Sequence, residues 1–218
     1  MRHHFCLLLA FVSLGIHAAI AGAGDDLAKT LKPITSADNY RFSVQTNAEA
    51  PAVDAKYQKG SPLYVQADKI EFFRHGEIMV YKQGDAWQRT RTGTLSDPLR
   101  ILGASANVRA VRLPHEDLAE IAKGLMKVKT AEKTITGDLG ADAAKKLAPV
   151  EDRDLARGAT VKLWLDADGR LAKYEIAVRV QGKRGNAEVD GVVTRIVTIA
   201  DIGKTKVEVP AGAKKALE

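Results

Sequence analysis

The sequence predicts an α+β domain built on a mostly antiparallel sheet, and three observations predict it. Apolar and polar residues alternate with period two between residues 39 and 92, and again after Gly158. The middle of the chain changes to helical spacing. Short turn signals separate the extended runs, which marks antiparallel neighbours and not long parallel crossovers. About nine strands and three helices are expected in the order sheet, helix, sheet.

Residues 1–23 read as a secretory signal peptide. Arg2, His3 and His4 precede the apolar run FCLLLAFVSLGIHAAIA, and Ala21-Gly22-Ala23 supplies small residues for cleavage after Ala21 or Ala23. A membrane anchor is the alternative, but Ser13, Gly15 and His17 break a run already short of the ~20 apolar residues of a spanning helix. The expected product is periplasmic or secreted, with one domain over residues 24–218, long enough to enclose a core. The only cysteine, Cys6, lies in the signal, so the exported chain is expected to have no thiol, disulfide or lipidation cysteine.

The elements follow in order. DDLAKTLK (25–32) predicts a short helix with acids in its first turn, stopped by Pro33. NYRFSVQT places Tyr40, Phe42 and Val44 on one strand face. SPLYVQADKIEFF is extended up to Arg74-His75-Gly76, and EIMVYK with AWQRTRT forms a hairpin whose polar second strand faces water. Residues 96–112 fit either the sheet or the helical layer. In LPHEDLAEIAKGLMKV, Leu118, Ile121, Ala122, Leu125 and Met126 recur at helical spacing, with Glu116, Asp117, Glu120, Lys123 and Lys127 on the other face. Gly124 is the weak point of that helix. AEKTITG reads as a strand and GADAAKKLA as a helix ended by Pro149. ATVKLWLD, RLAKYEIAVRVQ, AEVDGVVTRIVTIADI and KTKVEVP complete the sheet.

Two stretches invite a chemical reading. DADG (166–169) resembles part of a calcium loop, but counting from Asp166 the fifth position is Arg170, the sixth Leu171 and the twelfth Ala177. A calcium hand needs an oxygen ligand, Gly and Glu there. The stretch fits a hairpin turn, with Asp166 capping its own backbone and Gly169 taking the left-handed position. His115 opens HEDL, which lacks the second His of a helical zinc motif, and His75 sits beside Gly76 in a turn. Nucleophile elbows and phosphate-binding glycine loops are absent from the sequence. Adjacent acids such as Asp25-Asp26, Glu116-Asp117 and Glu151-Asp152 diverge on any regular element. No catalytic residue, metal site or cofactor is assigned, and the expected protein is not an enzyme.

The formal net charge is +6, with basic pairs at Lys145-Lys146, Lys183-Arg184 and Lys214-Lys215 scattered among few aromatics. Nucleic-acid binding requires a concentrated basic stripe with stacking platforms, so it is not expected. Attraction to a membrane surface or to envelope proteins stays open. Tyr40, Phe42, Phe72, Phe73, Tyr81, Trp87, Trp164 and Tyr174 are spread over the strands. They fit a filled core or the wall of an apolar cavity, and periodicity does not separate the two.

VKLWLDADGRLAKYEIAVRV followed by VVTRIVTIADIGKTKVEVP resembles the C-terminal part of the LolA/LolB-like superfamily, nearest its LppX/LprG lipoprotein branch. YRFSV, GDAWQRT and TITGDLGADAAKKLAP follow the order of that family's earlier parts. The resemblance implies an unclosed antiparallel half-barrel with a helical lid on its concave face and an apolar cavity for acyl chains. Its members are non-enzymatic carriers or sensors of lipids and lipoproteins. In one respect the chain departs from that branch: it has no lipidation cysteine, in which it resembles the soluble LolA carriers.

The expectation is an exported soluble carrier of a lipid, acyl chain or lipoprotein, with Phe42, Phe72, Trp87, Leu118, Ile121, Leu125 and Met126 in the cavity wall. The alternative is an envelope sensor or interaction module with a closed core. An enzyme with a site assembled from distant residues is the remaining alternative.

Overall fold

The computed structural model describes residues 26–46, 52–67, 70–91 and 111–218. The signal-peptide reading and most of the 96–112 segment lie outside the described residues. Eleven strands form one sheet among the described residues: β1 (Asn39–Thr46), β2 (Val53–Gln58), β3 (Leu63–Ala67), β4 (Ile70–His75), β5 (Ile78–Gln83), β6 (Ala86–Arg91), β7 (Leu125–Ala131), β8 (Thr134–Leu139), β9 (Ala156–Leu165), β10 (Leu171–Arg184) and β11 (Ala187–Ala200). Their order is β6-β5-β4-β3-β2-β1-β11-β10-β9-β8-β7, with every neighbouring pair antiparallel. β6 and β7 are free edges, so the sheet is not closed into a barrel. Two meanders are joined where the first described strand pairs with the last, Phe42 opposite Ile199 and Val44 opposite Val197.

Helices cover one face. The first helix, over residues 26–35, buries Leu27, Leu31 and Ile34, a stripe at spacings four and three. It runs past Pro33, because Pro33 lies on the exposed side and Ile34 still reaches the core. The Thr35 and Ser36 hydroxyls donate to the Leu31 and Lys32 carbonyls at 3.2 and 2.7 Å. A central helix (Pro114–Gly124) and a short helix (Ala141–Leu147) complete the layer. Their Leu118, Ile121, Ala144 and Leu147 join Tyr40, Phe42, Val65, Phe72, Val161, Leu163, Tyr174, Ile176 and Val197 in one apolar core. A single 3-10 segment (Val150–Leu155) leads into β9.

The central helix is shorter than its periodicity predicts. It ends at Gly124, and Leu125 and Met126 already belong to β7, opposite Leu139 and Asp138. The chain there runs close over β8: a side chain on Gly137 would sit 2.8 Å from Leu125 Cγ and from the Met126 carbonyl. The bare backbone of Gly137 permits that approach, and pairing with β8 outweighs the helical spacing. β7 is irregular, with a register shift between Met126 and Lys129 and Lys127 at φ 51°, which blunts an otherwise open edge.

The DADG turn is a hairpin corner between β9 and β10. Asp166 Oδ1 accepts from the backbone N–H groups of Asp168 and Arg170, each at 2.9 Å, and Gly169 adopts φ 76°. Val161 and Leu163 on one side, and Tyr174, Ile176, Val178 and Val180 on the other, point into the core as the alternation predicts. SPLYVQADKIEFF proves to be two strands, β3 and β4, paired with Leu63 opposite Arg74. β2 is a strand the alternation did not reveal.

The ending departs most from expectation. KTKVEVP pairs with no strand, and the Thr205 and Val207 N–H groups go to side chains instead. It crosses the outer face of the sheet as a strap. Asn39 Oδ1 accepts from Thr205 N–H at 2.8 Å and Gln58 Oε1 from Val207 N–H at 2.9 Å. Val207 and Val209 then pack, with the C-terminal helix (Ala211–Leu217), over Phe73, Val80 and Trp87.

Candidate functional site

The central helix meets the inner face of the sheet through a buried polar cluster. Asp117, in its first turn, is completely buried; the sequence reading had put it on the polar face with Glu116. The correction has a geometric cause, because Asp117 stands four residues before Ile121 and shares its side of the helix. Its Oδ1 accepts from Arg112 Nε at 2.9 Å, and its Oδ2 from the Tyr174 hydroxyl of β10 at 2.9 Å. Arg195 of β11 forms an ion pair with the same Oδ2 at 2.8 Å. The helix N-terminus adds a favourable field at the carboxylate.

Arg195 occupies an inward position on β11, in line with Val193, Val197 and Ile199. Burial disfavours its guanidinium charge, but Asp117 and Tyr174 beside it more than compensate and hold its pKa above the usual range. Burial, reinforced by Asp117, pushes the Tyr174 phenol well above its ordinary value. Both protonated forms are therefore locked in, and Asp117 faces two guanidinium groups and one hydroxyl donor.

A second polar contact lies two residues earlier in the helix. The buried Tyr40 hydroxyl and His115 Nδ1 are 2.6 Å apart, and the His115 backbone N–H donates weakly to the same hydroxyl at 3.5 Å. The His115 ring also packs on Tyr57, 4.7 Å between centroids. Burial lowers the His115 pKa, with Glu116 and Asp117 acting in the opposite sense. Burial thus favours the neutral imidazole, and in the tautomer protonated on Nε2 its Nδ1 accepts from the Tyr40 hydroxyl. His75, by contrast, is exposed at the end of β4.

The predicted wall residues divide. Phe42, Phe72, Leu118 and Ile121 come together in the inner core, and Leu125 packs against it half-buried. Met126 is 50% exposed on β7. Trp87 lies on the opposite face of the sheet, 5.6 Å from Phe73 between ring centroids. Several surface grooves lined by described residues are large enough to hold a small molecule, and Met126 lines one of about 520 Å³ with Leu139, Ala159 and Val192. Another, of about 580 Å³, runs beside the central and short helices, lined by Arg112, Glu116, Glu120, Lys145, Lys146 and Arg153. A third, of about 640 Å³, lies between the strap and Lys56, Tyr64 and Glu71. A fourth, of about 600 Å³, flanks the C-terminal helix near His75 and Lys214. Phe42, Phe72, Leu118 and Ile121 line none of these four, and they pack directly against the helical layer.

Among the described residues no group of three or more His, Cys, Asp or Glu side chains is placed to hold a metal ion. Asp166 and Asp168 serve the hairpin corner instead. Sequence reasoning missed Asp117, Arg195 and Tyr174 as a unit. The available signal was an arginine at an inward position of VVTRIVTIA, hidden because Val192 and Ile196 put apolar residues on the outer face as well.

No family model and no curated protein sequence matches the chain significantly. Its fold does match solved structures. LprF from Mycobacterium bovis aligns with TM-score 0.57 and 13% identity, over 88% of this chain and 98% of that one. The lipoprotein LppX from Mycobacterium tuberculosis aligns with TM-score 0.52 and 13% identity, over 87% of this chain and 99% of that one. The chain has the fold of these two proteins almost from end to end of each, which is the fold the LppX/LprG resemblance implies.

Proposed function

We propose that this protein is an exported carrier that holds the acyl chain of a lipid or acylated ligand between the central helix and the inner face of the sheet. The observation that carries the reading is the fold shared with LprF and LppX, whose branch the sequence motifs also resemble. Phe42, Phe72, Leu118, Ile121 and Leu125 would form the wall, because they line the helix–sheet interface. The form described is closed, with Leu118 and Ile121 fully buried. Loading therefore requires the central helix to lift. Transfer of acyl chain from water supplies the driving force, at roughly 0.8 kcal/mol per buried CH₂. The helix is held to the sheet by Leu118 and Ile121, by Asp117 with Arg195 and Tyr174, and by His115 with Tyr40; these are side-chain contacts that can part and re-form, and none is strand pairing.

Native mass spectrometry of the exported protein, with titration of a fluorescent fatty acid, tests the reading. Co-purifying lipid, or saturable binding that places the probe in an apolar environment, is the expected result. A protein that carries no lipid and binds no probe is a closed-core interaction module, and the carrier reading falls.

A further inference from the structure

Among the described residues the buried charged side chains are Asp117, Asp152 and Arg195. Asp152 pairs with the exposed Arg184 near the surface. Asp117 and Arg195 differ, because they face each other across two layers that must separate for the interface to open. Such a pair contributes little stability over apolar residues of the same size, but either half left alone in the core is costly. When the helix lifts, Asp117 leaves with it and reaches water. Arg195 and Tyr174 stay on the sheet, Arg195 between Thr46 of β1 and Ile176 of β10, and Tyr174 opposite Val197.

We propose that Arg195 and Tyr174 form the seat for the acidic head group of an amphiphile, a carboxylate or a phosphate, and that Asp117 occupies this seat while the helix is down. The inference rests on the carrier reading and specifies its ligand class. An incoming anion replaces the Asp117 carboxylate at the same guanidinium and hydroxyl, so charge pairing is exchanged and not lost. A neutral head group does not replace the charge of the Asp117 carboxylate, and a cationic one opposes the guanidinium. The surface offers a route to the seat. Arg112, which binds Asp117 Oδ1, also lines the helical groove with Lys145, Lys146 and Arg153. Of the two acids in that groove, Glu120 is held by Lys123 and Lys146 at 3.2 and 2.9 Å, and Glu116 is the other. The acyl chain then runs along the adjoining apolar wall.

Calorimetric titration of the full chain with dodecanoate, dodecyl phosphate, dodecanol and dodecyltrimethylammonium tests the proposal. At least one acid is expected to bind roughly tenfold or more tightly than the alcohol, with the ammonium weakest. Whether carboxylate or phosphate leads identifies the head group. The double variant D117L/R195M, which replaces the pair with apolar residues, is expected to bring acids and alcohol to the same affinity. Tyr174→Phe keeps the ion pair and carries the test if the double variant does not fold; it should narrow the acid preference by roughly threefold to tenfold. Equal binding of acids and alcohol by the unaltered protein overturns the head-group seat alone, as does a preference that survives in both variants. Absence of binding by all four amphiphiles overturns the carrier reading and this inference with it.

Discussion

Beneath the central helix the inner face of the sheet is a broad apolar surface interrupted by Arg195, whereas the outer face under the C-terminal helix is a small patch of Phe73 and Val80, with Trp87 beside them, that covers Ala213 of the helix. The inner cover is fastened by charge, through Asp117, Arg112 and Arg195. The outer cover is fastened by shape and by hydrogen bonds to its backbone, from the Asn39 and Gln58 side chains to the strap and from Arg89 to the Ala216 carbonyl of the helix. Gly212 adds to the fit, because a side chain there would begin 2.7 Å from Trp87 Cδ1. The contrast separates two tasks. A cover that must move is held by groups that accept other partners; a cover that stays is held by close packing that no ligand imitates.

The most severe way to break the contrast is to cut the inner fastening. Asp117→Ala leaves Arg195 buried without its carboxylate and should cost about 3–5 kcal/mol, read as a fall in the urea midpoint. D117L/R195M should recover most of that loss, since it removes both charges and fills the space. A single variant as stable as the unaltered chain would show that the pair is not a fastening at all.

On the outer face, Gly212→Val forces the Trp87 ring aside and should cost about 1–3 kcal/mol by overpacking. The effect should stay local, with a shift in Trp87 emission and no change in acyl-probe affinity. A matching loss of probe binding would mean that the two covers are coupled through the sheet, and the contrast between them would fail.

Much of the sheet was legible because its signals are local. The β9–β10 corner follows from Asp166 and Gly169, and the inward residues of both strands follow from period two. The end of the central helix was not legible, since Leu118, Ile121 and Leu125 keep helical spacing across a boundary set by β8 pairing and by the bare backbone at Gly137. The strap reads as a strand for a similar reason: Val207 and Val209 alternate correctly, but the Thr205 and Val207 N–H groups are taken by the Asn39 and Gln58 side chains and not by a strand edge. Of the candidate wall, Phe42, Phe72, Leu118 and Ile121 were found by burial pattern, while Trp87 lies on a strand whose two faces look alike in sequence. The Asp117–Arg195 pair joins residues 78 positions apart, and no local pattern reports such a contact.

The smallest expected effect refines the inner fastening with pH. In the folded protein burial favours the neutral form of His115, whose Nδ1 lies 2.6 Å from the Tyr40 hydroxyl; the residue stands in the first turn of the central helix, where a cation is disfavoured. Burial is the main cause of its lowered pKa. The groups facing it are Tyr40 of β1, Tyr57 of β2, and Glu116 and Asp117 on its own helix. Because the folded pKa lies below the unfolded value of about 6.5, the unfolded chain takes up the proton first as the pH falls. The His115 contribution to stability is therefore complete above about pH 6.5 and is lost as the pH drops through the window beneath it. Thermal melts between about pH 8 and pH 5 should show this as a decline in Tm that is shallower in His115→Gln, whose amide oxygen still accepts from Tyr40. Parallel declines in the two proteins would assign the acid sensitivity to carboxylates instead. A shallower decline in the variant, accompanied by weaker pH dependence of acyl-probe uptake, would place His115 in the same fastening as Asp117 and confine proton sensitivity to the inner cover.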